Sequence, residues 1–234
     1  MNKPSLKRSR VNEIMREADA FIRSFGYVLP PFAYWSAGDF KANASIAGNI
    51  INAGLGWDIT DYGLGDFEDT GLFLFTVRNG NVGDLSKGRG MLYAEKAMIS
   101  RQDQYSPMHR HNLKAEDIIN RGGGTLVIEL FGDTNGECDR EKGTVVYTDG
   151  IRRELEPGHK LQLKPGESVT LMPNEHWHAF WGEGGDVFVG EVSTVNDDAT
   201  DNVFEDKRIT RFSGIEEDEE PLHLLVSDYN RLLS

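Results

Sequence analysis

Cysteine is almost absent from this chain of 234 residues, which contains only Cys138. A single thiol excludes a disulfide framework within the chain. The chain also lacks an apolar stretch of the length that a membrane-spanning helix requires. Its first residues, Met1–Arg10, are basic, but the apolar core of a signal peptide does not follow them. We therefore expect a cytoplasmic protein that does not cross a membrane.

Basic residues are scarce relative to acidic ones. The chain has 25 Lys and Arg against 38 Asp and Glu, which gives a formal net charge of −13. Nucleic acids and anionic membranes attract basic surfaces, so this composition argues against both as partners. A small neutral substrate is compatible with the charge. The hydrophobic content of 38% provides for a sizeable core.

We expect one domain whose segments differ in the spacing of their apolar residues. Residues 1–70 predict a helical cover, because apolar side chains recur at helical spacing from Val11 to Phe25 and Gly26 is a stop signal. Residues 71–195 contain many short apolar runs separated by turn residues, a pattern typical of a β-barrel or sandwich. The predicted fold class is therefore mainly β, a jelly-roll barrel with N-terminal helices packed outside.

The remaining residues, 196–234, form an acidic tail. The apolar run Leu222–Val226 predicts that this tail docks back on the body. The acidic runs Asn196–Asp198 and Glu216–Glu220 are expected to be solvated surface, the usual role of such runs.

Glycine pairs and triplets divide the barrel segment. Gly122–Gly124 is expected to reverse the chain tightly before the apolar strand Thr125–Phe131. Hairpin turns are expected at Asp149-Gly150, Pro165-Gly166 and Gly184-Gly185.

Two histidines, His109 and His111, are separated by one residue. On a strand, residues two apart point to the same face, so both imidazoles can reach one point. Glu116 follows five residues after His111, and a short turn through Asn112–Ala115 could fold its carboxylate back toward them. Two neutral nitrogens and one anionic oxygen suit a divalent first-row metal.

A metal site of this kind needs a third imidazole. His159 lies in a Pro-Gly turn and His223 in the tail, which makes both weaker candidates. His176 and His178 alternate along one strand, so only one of them can face the site by regular pleating. His178 shares its face with Phe180, an interior-facing residue, and is preferred. The competing interpretation is that the histidine pair holds no metal.

Three further charged residues are candidates for chemistry. Lys96 lies on an apolar strand face, either at an edge with its ammonium in solvent or in a cavity that would lower its pKa for proton transfer. Lys114 lies between His111 and Glu116, and spacing does not decide whether its side chain enters the cavity. Glu191 lies on an apolar strand face, either as an interior carboxylate or as a group that orients others.

These residues resemble the two signature stretches of the cupin superfamily. The first stretch, His-x-His followed by Glu and then Gly, is matched by His109, His111, Glu116 and Gly123. The second runs from a glycine through a strand and a proline to a histidine, and is matched by Gly166, Pro173 and His178. The resemblance implies a jelly-roll barrel with a metal inside and selects His178 over His176.

Stretches along nearly the whole chain are also similar to the bacterial D-lyxose isomerase family. They are Leu29–Phe32, Gly56–Asp58, Phe75–Gly80, Tyr93–Lys96, Lys114–Gly124, Gly190–Ser193 and Asn196–Asp198. The resemblance implies a divalent-metal aldose–ketose isomerase, usually manganese-dependent, that interconverts D-lyxose and D-xylulose and often D-mannose and D-fructose. It also implies a homodimer.

The family resemblance places metal ligands on His109, His111, Glu116 and His178, and two pocket lysines on Lys96 and Lys114. The metal would polarise the carbonyl and stabilise an enediol while a base moves the proton between C2 and C1. Lys114, Lys96 and Glu191 or a tail acid are the candidates for proton transfer, and a hydride shift is an alternative. Two other functions share the ligand set: a cupin dioxygenase with iron or nickel, and a non-catalytic sugar-binding cupin.

Overall fold

Strands outnumber helices in the computed structural model, which describes residues 6–198, 200–210 and 214–232. The strands are β1 (Leu6–Lys7), β2 (Gly56–Thr60), β3 (Leu72–Arg78), β4 (Tyr93–Ser100), β5 (Ser106–His111), β6 (Glu116–Thr134), β7 (Glu137–Asp139), β8 (Thr144–Thr148), β9 (Ile151–Leu155), β10 (His159–Leu163), β11 (Ser168–Leu171), β12 (His176–Thr194), β13 (Asn202–Phe204) and β14 (Ile215–Glu216). The α-helices are α1 (Arg8–Ser24), α2 (Ala37–Ala42), α3 (Ala44–Asn52), α4 (Val82–Leu85) and α5 (Tyr229–Leu232), with 3₁₀ turns at Pro31–Tyr34 and Val226–Asp228.

The two longest strands, β6 and β12, run antiparallel and pair along almost their whole length. The first half of β6 and the second half of β12 lie in one face of the barrel, with β2, β3 and β4 on one side and β11, β8 and β9 on the other. The other halves lie in the opposite face with β5, β13, β10 and β7. The mainly β barrel predicted from the sequence is confirmed, and its interior lies between these faces.

The glycine runs do not reverse the chain, and this corrects two of the predicted turns. Gly122–Gly124 lies inside β6 and Gly184-Gly185 lies inside β12, where the pairing register shifts. At Gly124 a Cβ atom would come within 2.6 Å of the carbonyl oxygens of Glu183 and Gly185. These glycines therefore let the two strands approach closely where both pass between the barrel faces.

The predicted hairpins have different outcomes. The turn at Asp149-Gly150 joins β8 and β9 as an antiparallel pair, as predicted. The turn at Pro165-Gly166 does not form the predicted hairpin, because β10 and β11 pair with different halves of β6 rather than with each other. Each of these two short strands therefore pairs with the long strand β6 and not with its neighbour in sequence.

The N-terminal helices pack on the outside of the barrel, as predicted. The apolar stripe of α1, which includes Val11, Ile14 and Ile22, is buried against Phe75 and Phe188 on the outer surface of the barrel. Gly26 follows this helix with a φ of +75°, a conformation that suits glycine at a helix end. The segment predicted as a helical cover also contains β2, which pairs with β3 at the sheet edge. No helix among the described residues is long and apolar enough to cross a membrane.

The described part of the tail lies against the N-terminal helices. Leu224 and Leu225 are buried, and β14 pairs with β1. Arg8 is fully buried and donates two hydrogen bonds to Asp228, at 2.9 and 3.0 Å, and two to Glu217, at 2.8 and 2.9 Å. The two ends of the chain are thus joined by apolar packing and a charged cluster.

Candidate active site

A cavity of about 430 Å³ lies inside the barrel. All seven side chains that the sequence predicts for the site line it: Lys96, His109, His111, Lys114, Glu116, His178 and Glu191. The imidazoles come from the barrel face that contains β5, whereas the lysine of β4 and the carboxylates of β6 and β12 come from the opposite face. The site therefore depends on the closure of the barrel.

Three imidazoles meet at one end of the cavity. His109 and His178 are opposite one another across the β5–β12 pair, and His111 follows two residues along β5. One ring nitrogen from each lies within 4.8 Å of the others. The three residues are 9, 6 and 1% exposed for His109, His111 and His178, so the cluster is largely shielded from solvent.

The outward ring nitrogens face groups that orient the rings. His109 Nδ1 lies 2.8 Å from the carbonyl oxygen of Pro107. His111 Nδ1 lies 3.5 Å from a carboxylate oxygen of Asp201, and His178 Nδ1 lies 3.5 Å from the carbonyl oxygen of His176. This arrangement leaves Nε2 as the nitrogen that each ring presents to the cavity, the usual pattern at metal-binding histidines.

Glu116 supplies an oxygen to the same point. Its Oε1 lies 3.2 Å from His111 Nε2 and 3.4 Å from His178 Nε2. Among the described residues, this buried oxygen has no hydrogen-bond partner of good geometry. A buried anionic oxygen without a donor is costly unless a cation is close. The turn predicted through 112–115 is present and returns the chain so that Glu116 reaches the histidines.

The pKa shifts favour metal binding at three of the four candidate ligands, His109, His178 and Glu116. Burial lowers the pKa of His178 to about 4 and that of His109 well below its ordinary value, so both rings are neutral near pH 7. Burial alone would raise the pKa of Glu116, but the charges of Lys114 and His111 lower it well below its usual range. Neutral imidazoles and an ionised carboxylate are the forms that bind metal ions. Burial and the charge of Lys114 would lower the pKa of His111, but Glu116 and Asp201 raise it, so a metal ion would displace a proton from this ring. The three histidines can hold a divalent metal, and the chemistry of Glu116 fits the same ion.

The other histidines lie away from this point. His176 is buried, but its Nδ1 accepts a hydrogen bond from the Met172 N–H at 2.6 Å and its Nε2 lies 2.9 Å from the Val145 carbonyl oxygen. His159 is exposed, and His223 is half-buried beside Trp57 and Tyr34. The structure therefore brings His178, and not His176, to the cluster.

A series of alternating lysine and carboxylate side chains begins at Glu116. Lys114 Nζ lies 2.7 Å from Glu116 Oε2 and 2.9 Å from Glu191 Oε1, and Lys96 Nζ lies 3.5 Å from Glu191 Oε2. Both lysines are buried, at 3 and 4% exposure, so Lys96 is not the solvent-exposed edge residue that was one of its two interpretations. Burial opposes the charge of Lys114, but the carboxylates of Glu116, Glu191 and Asp198 outweigh it and raise the pKa of this lysine. Lys114 is therefore an ammonium ion near neutral pH.

Two groups from the acidic tail complete this cluster. Lys96 Nζ donates to Asn196 Oδ1 at 2.8 Å and to Asp198 Oδ1 at 3.1 Å. Asp198 lines the cavity with its side chain 23% exposed, so the expectation that Asn196–Asp198 is solvated surface was wrong. These residues lie about a hundred positions beyond Lys96, and a charge run alone does not reveal such a contact. Their place among the family stretches was the signal that could have found them.

Asp201 was not predicted at all. Its carboxylate accepts hydrogen bonds from the backbone N–H groups of Asn112, Leu113 and Lys114, at 3.1, 2.7 and 3.1 Å, and faces His111. Burial would raise the pKa of Asp201, but the neighbouring His111 ring and the backbone N–H groups of Leu113 and Lys114 lower it. Asp201 is an ionised residue that lies behind the site and does not line it.

Comparisons with known sequences agree on one family. A sequence model of D-lyxose isomerase matches residues 6–229. A D-lyxose/D-mannose isomerase of Serratia proteamaculans is 44% identical over 232 residues, covering 98% of this chain and 100% of the relative. A protein of the same description from Escherichia coli is 41% identical over 231 residues, covering 97% of this chain and 99% of the relative.

Solved structures share the fold at low sequence identity. An L-ribose isomerase of an Acinetobacter species, in complex with L-ribose, aligns with a TM-score of 0.59 and 17% identity, covering 92% of this chain and 100% of that one. An L-ribose isomerase of Cellulomonas parahominis aligns with a TM-score of 0.57 and 17% identity, covering 91 and 99%. These likenesses support the cupin-type barrel predicted from the sequence.

Proposed function

The chain belongs to the D-lyxose isomerase family and is a sugar isomerase, and we propose that it interconverts D-lyxose with D-xylulose and D-mannose with D-fructose. The observation that carries this proposal is the meeting of three imidazoles and the Glu116 carboxylate beside a buried lysine–carboxylate cluster in one cavity. This family membership favours an isomerase over a dioxygenase or a non-catalytic sugar-binding protein.

The proposed metal ligands are His109, His111, Glu116 and His178. Imidazole nitrogens favour a first-row transition ion over Mg²⁺, which prefers oxygen ligands, and the family resemblance implies manganese, so we propose Mn²⁺ as the resident ion. When bound, such an ion supplies Lewis-acid polarisation of the substrate carbonyl and charge neutralisation at the reacting oxygens.

The lysine–carboxylate cluster would move the protons. Isomerisation breaks the C2–H bond of the aldose and forms a C1–H bond of the ketose, while one hydroxyl proton passes from O2 to O1. Glu191 is the proposed base, because it is a buried carboxylate that lines the cavity and two ammonium groups hold it in place. It would take the proton from C2 and return it at C1.

Lys114 and Lys96 would act on the substrate oxygens. Lys114 uses two of its three N–H donors on Glu116 and Glu191, which leaves one for a substrate oxygen. Because its pKa is raised, we assign Lys114 the role of a cation that stabilises negative charge and donates a proton, and not that of a base. Lys96 is held by Asn196 and Asp198 on the other side of Glu191 and would bind a second oxygen.

We propose one domain with a helical cover (1–70), a barrel (71–195) and an acidic docking tail (196–234), acting as a cytoplasmic homodimer. The exposed apolar side chains Val145 and Tyr147 lie on β8, next to the edge strand β9, and this apolar surface supports association with a second copy.

The substrate assignment can be tested with four aldoses. D-Lyxose and D-mannose share their configuration at C2 and C3, whereas D-xylose and D-glucose are inverted at C2. A base fixed on one side of C2 can reach the hydrogen of only one configuration, so D-lyxose and D-mannose should react and the other two should react poorly. The extra hydroxymethyl group of the hexose should lower kcat/KM by about 10–200-fold.

The measurement is ketose formation by the Mn²⁺-loaded protein, expressed as kcat/KM for each sugar. Equal or better activity on D-xylose or D-glucose would contradict the stereochemical reasoning. No ketose from any of the four sugars would contradict the proposed function itself.

A further inference from the structure

Asp201 connects two parts of the site without lining the cavity. It lies just before β13, which pairs with the histidine strand β5, and it is 6% exposed. Its Oδ1 accepts the N–H groups of Asn112 and Leu113, and its Oδ2 accepts the N–H of Lys114. The same Oδ2 lies 3.5 Å from His111 Nδ1. The two oxygens therefore accept three backbone N–H groups and face the His111 ring nitrogen.

These contacts fix the backbone immediately before Glu116. Residues 112–114 form no strand, and the Asn112 N–H also donates to the backbone carbonyl oxygen of Asp201 at 3.1 Å. Backbone N–H groups that are shielded from water need an acceptor. The Asp201 carboxylate supplies it for three consecutive residues. Lys114 is the last of these residues, so the carboxylate also determines where the lysine side chain begins.

The contact between Asp201 and His111 affects the proposed metal-binding part of the site. A carboxylate beside Nδ1 favours a proton on that nitrogen and leaves the lone pair of Nε2 for the cavity. His111 Nε2 lies 3.2 Å from Glu116 Oε1. The orientation of the His111 ring therefore determines whether these two atoms can bind the same metal ion.

We propose that Asp201 is a positioning residue for both halves of the reaction centre. It orients the His111 imidazole toward the metal ion and fixes the loop that presents the Lys114 ammonium to the substrate. The first half of this inference rests on the proposed function, because it requires the metal site.

The charge and shape of aspartate are both needed here. Asparagine has the same size, but its amide offers one accepting oxygen in place of two. The NH₂ group would face either the Leu113 or the Lys114 N–H, so at least one donor would lose its acceptor. The His111 ring would also lose its anionic partner.

The test compares Asp201→Asn with Asp206→Asn. Asp206 lies in the same segment but does not line the cavity, and its carboxylate pairs with the exposed Arg208 at 2.6 Å. Both proteins and the wild type are stripped of metal and titrated with Mn²⁺ by calorimetry. We then measure kcat and KM for D-lyxose at saturating Mn²⁺.

We expect Asp201→Asn to bind Mn²⁺ about 10–100-fold more weakly, the usual effect of removing a partner of a ligating histidine. At saturating Mn²⁺ its kcat should fall more than its KM changes, because the displaced loop alters the lysine and not the shape of the cavity. Asp206→Asn should match the wild type within about twofold in both. Wild-type Mn²⁺ affinity together with wild-type kcat in Asp201→Asn would overturn the inference.

A second measurement needs no variant at Asp201. Long-range ¹H–¹⁵N spectra of the metal-free wild type, with His111 assigned by its absence in His111→Gln and at a pH high enough for the ring to carry a single proton, report which ring nitrogen holds that proton. We expect Nδ1 of His111 to be protonated, and an unprotonated Nδ1 would overturn the inference. If the wild type binds no Mn²⁺, the proposed function fails, and the protonation of Nδ1 alone then decides the role of Asp201.

Discussion

Replacing Lys114 by methionine should separate catalysis from metal binding. The methionine side chain has nearly the length of lysine but no charge, so Glu116 and Glu191 would lose the ammonium that lies 2.7 and 2.9 Å from them. At an effective dielectric constant of about 20, the attraction to Glu116 alone is about 6 kcal/mol, which the cost of burying the charges partly offsets. Breaking a buried pair in this way usually destabilises a protein by about 3–5 kcal/mol.

We expect the lower end of that range in the metal-free protein. Glu191 keeps Lys96 at 3.5 Å, and His111 remains 3.2 Å from Glu116 and can take up a proton. A loss of about 3 kcal/mol corresponds to a fall in Tm of roughly 6–12 °C for a chain of this size. Because bound Mn²⁺ would neutralise Glu116 in place of the ammonium, the fall in Tm should be smaller in the metal-loaded protein.

The substitution should lower kcat without weakening Mn²⁺ binding. Without the ammonium that stabilises charge and donates a proton, kcat for D-lyxose should fall by about 100-fold or more. The Mn²⁺ affinity should not weaken, because a positive charge has been removed from beside the ion. The assays are ketose formation at saturating Mn²⁺, calorimetric titration of metal, and thermal unfolding with and without chelator.

The control is Lys87→Met, whose lysine is half-exposed and pairs with Asp84 on the surface. It should match the wild type in all three assays. A Lys114→Met protein with full metal occupancy and a kcat within tenfold of the wild type would refute the assigned role. Lys96 would then become the leading candidate for the oxygen-stabilising lysine.

Two further substitutions test the ligand assignment and the attachment of the tail. His178→Gln should abolish tight Mn²⁺ binding in a calorimetric titration, whereas His176→Gln should retain it, and the reverse pattern would show that the wrong histidine was assigned. Arg8→Met should lower the free energy of unfolding by about 3 kcal/mol in denaturant titration. Among the described residues, it leaves the buried Asp228 with the half-exposed Arg231 as its remaining cation, beside a hydrogen bond from the Leu225 N–H. A change below 1 kcal/mol would show that this charged cluster contributes little.

The approach of His109, His111 and Glu116 could be predicted because it is local. The histidines are two residues apart on one strand, and a four-residue turn returns the carboxylate to them. The choice of His178 over His176 also followed from the alternation of a strand, since only one of two neighbouring faces can look inward. Patterns of this kind need only the geometry of a single element.

The contacts of Asp198 and Asp201 could not be predicted in the same way. Asp198 reaches Lys96, and Asp201 reaches the backbone of residues 112–114, across about ninety to a hundred positions of sequence. An acidic run that lines a cavity has the same composition as one that lies in solvent. Only the folding of the tail over the barrel distinguishes them.

The structure of the glycine runs could not be predicted either, but for a different reason. Gly123 has a φ of +97° and Gly185 a φ of +133°, and a tight turn requires positive φ as a bend within a strand does. The strand that pairs with this segment determines whether a turn or a bend within the strand is formed. Here Gly124 and Gly185 lie opposite each other, so both strands bend together and continue. The sequence near one glycine does not contain that information.

We propose that isomerisation depends on one metal ion held by the three histidines and Glu116. The most direct measurement titrates metal-stripped protein with Mn²⁺ and records, at each step, bound metal and the rate of D-xylulose formation from D-lyxose. We predict that the rate rises in proportion to bound Mn²⁺ and reaches its plateau at one ion per chain. Full activity in the stripped protein, or full Mn²⁺ occupancy with no ketose formed, would contradict the account.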